Sequence, residues 1–238
     1  MNSTISAGTG PAKPLSESLL ETVELSTGEN PANSVIWLHG LGADGHDFEP
    51  VIPMLGIDEI AATRFVFPHA PVRPVTLNGG MEMRAWYDIK GMSISRDQDE
   101  EGIEMSAAQV RALIDREISR GIPASRIVLA GFSQGGALAA YVGLRYSQQL
   151  AGLMVLSAYL LFPQRLAAEI SPANASTNVF VAHGSMDPVV PVDLGRELAS
   201  RLRQAQLPLE WHEYAMPHSV SQQELLDIGV WLRAQLAD

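Results

Sequence analysis

The amino-acid sequence predicts an α/β fold in which helices cover both faces of a mostly parallel central sheet. Two observations lead to this prediction. Short apolar runs alternate with longer segments of helical periodicity between residues 20 and 238. Most of the runs are bounded by Gly, Pro or Asn and lack polar alternation, which is typical of strands buried on both faces. We expect one domain over residues 19 to 238 after a flexible N-terminal tail of residues 1 to 18.

The apolar runs place the strands in chain order. With 238 residues, of which 46% are hydrophobic, the chain can bury both faces of such a sheet. In a mostly parallel sheet the carboxyl ends of the strands share one edge, so we expect the functional loops to collect there. The predicted strands are residues 22–25, 35–38, 65–67, 126–130, 153–156, 179–182 and 209–214.

Two helices have clear boundaries in the sequence. Apolar residues recur every three to four positions from Ile103 to Ile118, and Gly121 and Pro123 then supply a stop signal. The same period returns at the C-terminus after Ser221, and Glu224 follows three residues later in a capping-box pattern. The apolar positions of this last helix are Leu225, Ile228, Leu232 and Leu236.

The composition excludes several classes of partner. The net charge of −11 comes without a Lys/Arg block, so we expect no nucleic-acid binding. The chain has no cysteine, which excludes disulfides, thiolate metal sites and a cysteine nucleophile. Its N-terminus lacks the apolar segment of a secretory signal and no run is long enough to span a bilayer. We therefore expect a cytoplasmic protein without stable membrane insertion.

The glycine-rich stretch from Gly40 to Gly45, "GLGADG", fits the G-x-G-x-x-G pattern of dinucleotide-binding turns. Its surroundings do not fit. Pro50 and Pro53 interrupt the long helix that such a turn should begin, and the next strand ends in "FVFPHAP" without the expected acid. We therefore interpret the stretch as a tight loop with exposed backbone N–H groups, and we expect no nucleotide cofactor.

The stretch "AGFSQGGAL" places Ser133 between Gly131 and Gly135, directly after a strand and before an alanine-rich helix. A strand that becomes a helix within one residue forces strained dihedrals on that residue and lifts its side chain above the sheet edge. Glycines at the flanking positions avoid collisions across such a turn. The pattern predicts that Ser133 is a catalytic nucleophile.

A serine nucleophile needs a base, and the base needs an acid. His218 follows the last strand and precedes the final helix, where hydrolase sheets carry their base. His39 and His183, each in "HG" at a strand end, are predicted to be structural hydrogen-bonding residues, and His212 lies inside a strand. The acid is predicted at Asp187, after the penultimate strand, whereas Asp193 is better placed to begin a helix. The chain order Ser133, Asp187, His218 is that of an α/β-hydrolase.

Acyl transfer also needs two N–H donors that receive the oxyanion. The N–H of Gln134, directly after the nucleophile, is one candidate. The other should come from a loop after an earlier strand, and Leu41 in "HGLGADG" is the candidate there. The glycine-rich loop thus has a function that requires no nucleotide.

Seven motifs together resemble the phospholipase/carboxylesterase family of small α/β-hydrolases, which includes bacterial carboxylesterases and acyl-protein thioesterases. The resemblance covers residues 20 to 236. It implies Ser133, Asp187 and His218 as a catalytic triad, Leu41 and Gln134 as oxyanion donors, and ester hydrolysis without a cofactor or metal. Because relatives are often dimers, a homodimer is one expectation. The motifs are "LHGLGADGHDF", "FPHAP", "AWYDI", "AGFSQGGALA", "LSAYL", "VAHGSMDPVVP" and "MPHSV".

The spacing of the strands limits the substrate site. Residues 157 to 177 are too few for a helical cap domain, so we expect an open site that favours short- to medium-chain acyl esters or thioesters. Residues 69 to 102 form the one insertion long enough to cover it, and its methionines, Met81, Met83 and Met92, could either line an acyl site or fill a core. The candidate substrate contacts are His69, Trp86, Met92 and Tyr159.

Three activities remain open from the sequence. A carboxylesterase with an acyl-enzyme intermediate fits the residues best, and an acyl-protein thioesterase or lysophospholipase would use the same triad. A hydrolase fold that binds ligands without catalysis is the alternative outside enzymes.

Overall fold

The computed structural model describes residues 19–57, 60–91 and 97–237. Its centre is a seven-stranded sheet in the order β1-β3-β2-β6-β7-β8-β9, in which β1 is antiparallel to β3 and the other pairs are parallel. The strands are β1 (Thr22–Ser26), β2 (Asn33–Leu38), β3 (Thr63–Pro68), β6 (Ile127–Phe132), β7 (Gly152–Leu156), β8 (Val179–Gly184) and β9 (Leu209–Tyr214).

A separate two-stranded hairpin, β4 (Val72–Val75) and β5 (Met81–Arg84), lies in the insertion after β3. The five α-helices of the described residues are α1 (Glu100–Ser119), α2 (Gln134–Arg145), α3 (Leu166–Glu169), α4 (Val192–Gln204) and α5 (Gln222–Leu236). The segment Glu49–Leu55 is a short 3-10 helix with Pro53 inside it, as the two prolines predicted. The predicted N-terminal tail lies outside the described residues.

Two apolar layers sandwich the sheet. Along β2, Ile36 and Leu38 pack with α1, α2 and α4 on one face, whereas Val35 and Trp37 pack with α5 and the 3-10 helix on the other. All six residues of β2 are buried, which explains the continuous apolar run from Val35 to Leu38. The prediction of a mostly parallel sheet with helices on both faces is confirmed.

Local signals place the helix boundaries as predicted. The Ser221 side chain accepts from the backbone of Glu224, and the Glu224 side chain accepts from the backbone of Ser221, so the capping box begins α5. Helix α1 ends before Gly121, which adopts a φ of 96°. Within the described ranges, no helix is both long and apolar enough to cross a membrane.

Candidate active site

Ser133 occupies the sharp turn between β6 and α2. Its φ of 54° and ψ of −122° are outside the usual regions for a residue with a side chain. A Cβ on Gly131 would lie 2.3 Å from the carbonyl oxygen of Gly135, and one on Gly135 would lie 2.5 Å from that of Leu38. The turn therefore closes only with glycine at both positions, and the strain predicted for the serine is present.

The structure brings Ser133, His218 and Asp187 into one hydrogen-bonded row. His218 Nε2 lies 3.0 Å from Ser133 Oγ, and His218 Nδ1 lies 2.6 Å from Asp187 Oδ2. Each residue follows the carboxyl end of a different strand, β6, β9 and β8 respectively. Because Asp187 accepts at Nδ1, the proton of a neutral His218 lies on that nitrogen, and Nε2 is free to accept from the serine.

Asp187 is held in place by its own loop. Its Oδ1 accepts from the backbone N–H groups of Val189 and Val190, both at 2.8 Å, while Oδ2 faces His218. The carboxylate is thus fixed by three donors and only 8% of the residue is exposed. Asp193 lies in the first turn of α4, where it forms a surface ion pair with Arg196 at 2.9 Å.

Two other histidines at strand ends have structural hydrogen bonds. His39 is buried, its Nδ1 lies 2.7 Å from the Gly40 carbonyl oxygen and its Nε2 accepts from the Ala70 N–H at 3.0 Å. Burial lowers the pKa of His39 to about 4. His183 is fully buried with its Nε2 2.8 Å from the carbonyl oxygen of Val190, and burial lowers its pKa too. Both histidines contact neighbouring backbone, as the sequence predicted.

The two candidate oxyanion donors flank the serine. Gln134 is the first residue of α2, so its N–H has no acceptor within the helix. Leu41 lies in the loop after β2, where the adjacent Gly42 has a φ of 78° and donates its N–H to the Arg84 carbonyl oxygen at 2.9 Å. Leu41, Gln134 and Ser133 line the same pocket.

That pocket has a volume of about 250 Å³ and is bounded mainly by apolar side chains. It opens to solvent, and no large cap covers it in the part of the chain that the structure describes. Asp47 is the one carboxylate among its lining residues. Partial burial and the nearby Asp44 raise the pKa of Asp47. The apolar lining comes from Leu77, Ile89, Phe132, Val189 and Val190.

The predicted substrate contacts occupy different places. Tyr159 lines the pocket, and its hydroxyl lies 2.7 Å from that of Tyr87. His69 lies behind the glycine-rich loop, where its Nδ1 accepts from the Gly45 N–H at 3.0 Å. Trp86 has no exposed surface, so the prediction that it contacts substrate is corrected: its ring is part of the core. Met92 lies outside the described residues.

The methionines of the insertion do not build the acyl wall in its described part. Met81 is 64% exposed on β5, and neither it nor Met83 lines the pocket. The insertion contributes Leu77 and Ile89 instead, which the sequence analysis missed. The dipeptide turn signal at Asn78 and Gly79 could have indicated a hairpin there, with apolar residues at its base.

The described residues contain no group of three or more His, Asp or Glu side chains arranged to hold a metal ion.

Comparisons with known proteins give the family of the chain. Residues 21–236 match the family model described as phospholipase/carboxylesterase. An acyl-protein thioesterase 1 of Neurospora crassa is 39% identical over 216 residues, and the match covers 85% of this chain and 86% of that protein. An acyl-protein thioesterase 1 of Gibberella zeae is 38% identical over 215 residues, and the match covers 85% of this chain and 90% of that protein. The crystal structure of Arabidopsis thaliana SOBER1 superposes with a TM-score of 0.80 at 31% identity, covering 86% of this chain and 99% of that one.

Proposed function

The chain belongs to the phospholipase/carboxylesterase family, and we propose that it is a serine carboxylesterase that hydrolyses short- to medium-chain esters through an acyl-enzyme. That the protein is a carboxylic ester hydrolase follows from the family and from the hydrolase relatives, which sets aside a binding module without catalysis. The observation that supports the mechanism is His218 placed 3.0 Å from Ser133 Oγ and 2.6 Å from Asp187 Oδ2.

In the acylation step, Ser133 Oγ attacks the carbonyl carbon of the ester while His218 Nε2 takes the hydroxyl proton. The carbonyl oxygen becomes an oxyanion, and the N–H groups of Leu41 and Gln134 receive its charge. The carbon–oxygen bond of the leaving group then breaks as His218 returns the proton to the departing alcohol. Asp187 stabilises the imidazolium throughout because it accepts from Nδ1.

In the deacylation step, water replaces the alcohol in the pocket. His218 Nε2 takes a proton from the water as its oxygen attacks the acyl carbon, and a second oxyanion forms at the same two donors. When the bond to Ser133 Oγ breaks, His218 gives the proton back to the serine. The carboxylic acid leaves, and the enzyme has returned to its starting state.

The pocket supports the preference for modest acyl chains. Its volume of about 250 Å³ is below the roughly 300–1,000 Å³ typical of sites for drug-sized ligands. Leu77, Ile89 and Phe132 offer apolar contacts to an acyl chain. A rate series on p-nitrophenyl esters from two to sixteen carbons should therefore reach its highest kcat/KM at short to medium chains and decline toward the longest.

Substitution of the nucleophile tests the mechanism. Ser133→Ala should fold normally and lose about 10⁶-fold in turnover, as removal of a triad serine does. Ser119→Ala, on the exposed end of α1, is the matched control and should keep wild-type turnover. A fluorophosphonate should label the wild type at Ser133, as checked by mass. If Ser133→Ala keeps more than a tenth of the activity in a clean preparation, the assignment is wrong.

Acyl-protein thioesterase activity is the second candidate, since two relatives with 38–39% identity carry that name. Hydrolysis of a thioester would use the same serine, base and oxyanion donors, and hydrolysis of a lysophospholipid would use them as well. A palmitoylated peptide thioester assayed beside the ester series distinguishes them: a kcat/KM on the peptide above that on every simple ester would favour the thioesterase. A homodimer and a cytoplasmic location stay predictions, and light scattering on the purified chain tests the first.

A further inference from the structure

We propose that the side chains of Gln134 and Trp86 are positioning residues that hold the two oxyanion donors at a fixed separation. They do so through residues 84–87, here called the bridge segment, which connects the hairpin to the rest of the insertion. The inference rests on the proposed function, because the separation of the donors matters only if an oxyanion forms between them.

The β2–β6 ladder ends before it reaches either donor. Strands β2 and β6 are paired in parallel, and their last paired residues are Leu38 and Gly131. Leu41 and Gln134 each lie three residues beyond that pair. The ladder therefore fixes the strand ends but not the loop and turn that carry the donors, so other contacts must align them.

Gln134 contacts the bridge segment through both ends of its side-chain amide. Its Oε1 accepts from the Trp86 N–H at 2.9 Å, and its Nε2 donates to the Tyr87 carbonyl oxygen at 2.7 Å. The side chain is buried, and Gln134 is 1% exposed as a residue. A buried backbone donor and a buried backbone acceptor are thus satisfied by one residue, which is a task that an amide can perform and a carboxylate or a thioether cannot.

Trp86 extends the connection to the other donor segment. Its indole Nε1–H donates to the His39 carbonyl oxygen at 2.9 Å, and the two rings are 5.3 Å apart. His39 comes two residues before Leu41. Because the His39 ring is itself fixed by the backbone of Gly40 and Ala70, the indole bond anchors the start of the donor loop in a rigid surrounding.

Two further bonds complete the connection. The Arg84 carbonyl oxygen accepts from the N–H of Gly42, directly after Leu41, at 2.9 Å. The Tyr87 hydroxyl lies 3.4 Å from the Gln134 carbonyl oxygen. The bridge segment therefore contacts both donor segments on each side of the point where an oxyanion would form. These bonds join the Leu41 loop directly to the α2 turn, which the sheet otherwise holds through the Ser133 N–H bond to the Leu156 carbonyl oxygen at 2.8 Å.

The consequence for catalysis is specific. A loosened donor pair stabilises the transition state less but leaves substrate binding and the His218 base in place. A misplacement of about 1 Å can cost roughly 100-fold in rate. Loss of the Gln134 amide should therefore lower kcat by about 10- to 100-fold with KM within about twofold of wild type.

Gln134→Met and Trp86→Phe test the proposal. Methionine keeps the length and the backbone N–H donor of residue 134 and removes both amide bonds, and phenylalanine keeps an aromatic ring and removes the indole donor. Gln204→Met on the exposed face of α4 is the matched control, with wild-type kcat expected. Turnover is expressed per serine titrated to completion with a fluorophosphonate, so that misfolded protein is not counted.

Three readouts distinguish positioning from a general structural role. The affinity for a trifluoromethyl ketone, which forms an oxyanion on Ser133, should fall in proportion to kcat/KM, while the midpoint of the pH–rate profile stays unchanged. The double variant should lose less than the product of the single losses, because both changes act on one bridge. If Gln134→Met fails to fold, the kcat and the ketone affinity of Trp86→Phe alone test the proposal.

The proposal is overturned if both folded variants keep kcat per titrated serine within twofold of wild type. It is also overturned if kcat falls while the affinity for the ketone does not. Failure of the proposed function would be seen differently, as a wild-type enzyme that is not labelled at Ser133. Labelled but fully active variants would reject the positioning role alone.

Discussion

Asp187→Asn replaces one oxygen of the proposed acid with an NH₂ group and reverses the hydrogen-bond requirement at His218. In the wild type, Oδ1 accepts from the N–H groups of Val189 and Val190, and Oδ2 accepts from His218 Nδ1–H. Asparagine has a single acceptor oxygen. Since two backbone donors at 2.8 Å require that oxygen, the NH₂ group must face the histidine.

The histidine then has to change tautomer. With a donor opposite it, Nδ1 must accept, so the proton of the neutral ring moves to Nε2. Nε2 faces Ser133 Oγ at 3.0 Å and can no longer take the hydroxyl proton. We expect kcat to fall by about 10⁴-fold, as in serine proteases with the same change, which corresponds to about 5 kcal/mol of transition-state stabilisation. The fold should persist because both backbone bonds and the side-chain volume remain.

The assay is steady-state hydrolysis of p-nitrophenyl butyrate, with thermal unfolding measured on the same preparation. Asp193→Asn makes the identical change on a side chain that is 83% exposed, and it should keep wild-type turnover. If Asp187→Asn retains more than about one hundredth of the wild-type kcat, the tautomer argument is wrong.

Three further predictions concern the turn, a buried acid and the pocket. Gly135→Ala should leave little folded, active enzyme, because the new Cβ would lie 2.5 Å from the Leu38 carbonyl oxygen. Gly91→Ala, whose Cβ would have no atom of the described residues within 4 Å, should behave as wild type in expression and turnover. Burial raises the pKa of Glu224 from 4.5 to about 8. Between these two pKa values the unfolded state binds fewer protons than the folded state, so the free energy of unfolding falls as the pH rises from 4.5 to about 8. In urea unfolding at pH 9, the free energy of unfolding of Glu224→Gln should exceed that of the wild type by roughly 2 to 4 kcal/mol, and at pH 5 the two should be similar. A variant that is less stable than wild type at pH 9 would contradict this. Asp47→Asn should raise kcat/KM about threefold for an ester with a carboxylated leaving group relative to a neutral ester, because it removes a like charge from the pocket; an equal effect on both esters would argue against it.

The strands and the row of site residues could be predicted because their signals are local. Apolar runs marked the five central strands, and mixed runs marked the two edge strands, β1 and β9. Parallel pairing then placed the residues after β6, β8 and β9 at one edge. The position of each candidate followed from the strand before it. His39 and His183 could be separated from His218 because each stands in an HG pair at a strand end. In the structure, both ring nitrogens of His39 and the Nε2 atom of His183 contact neighbouring backbone.

The hairpin and the pocket wall could not be predicted in the same way. Strand β4 contains Pro74 and strand β5 is largely exposed, so neither has the continuous apolar run that identified the other strands. The orientation of Trp86 was also beyond the sequence, because an aromatic residue in an insertion can face either a ligand or the core. The decisive contact is its indole bond to the His39 carbonyl oxygen, across 47 residues of chain.

The residues that are easiest to find in the sequence therefore differ in kind from those that we propose to align the oxyanion donors. Ser133, Asp187 and His218 each follow a strand of the parallel sheet, so their positions could be predicted from the strands before them. The separation of Leu41 and Gln134 depends instead on the bridge segment, which belongs to an insertion with weak local signals. Because the two dependences are separate, sequence changes in residues 84–87 should alter kcat without disturbing the triad, which makes the insertion a place where related enzymes with the same three side chains can differ in efficiency.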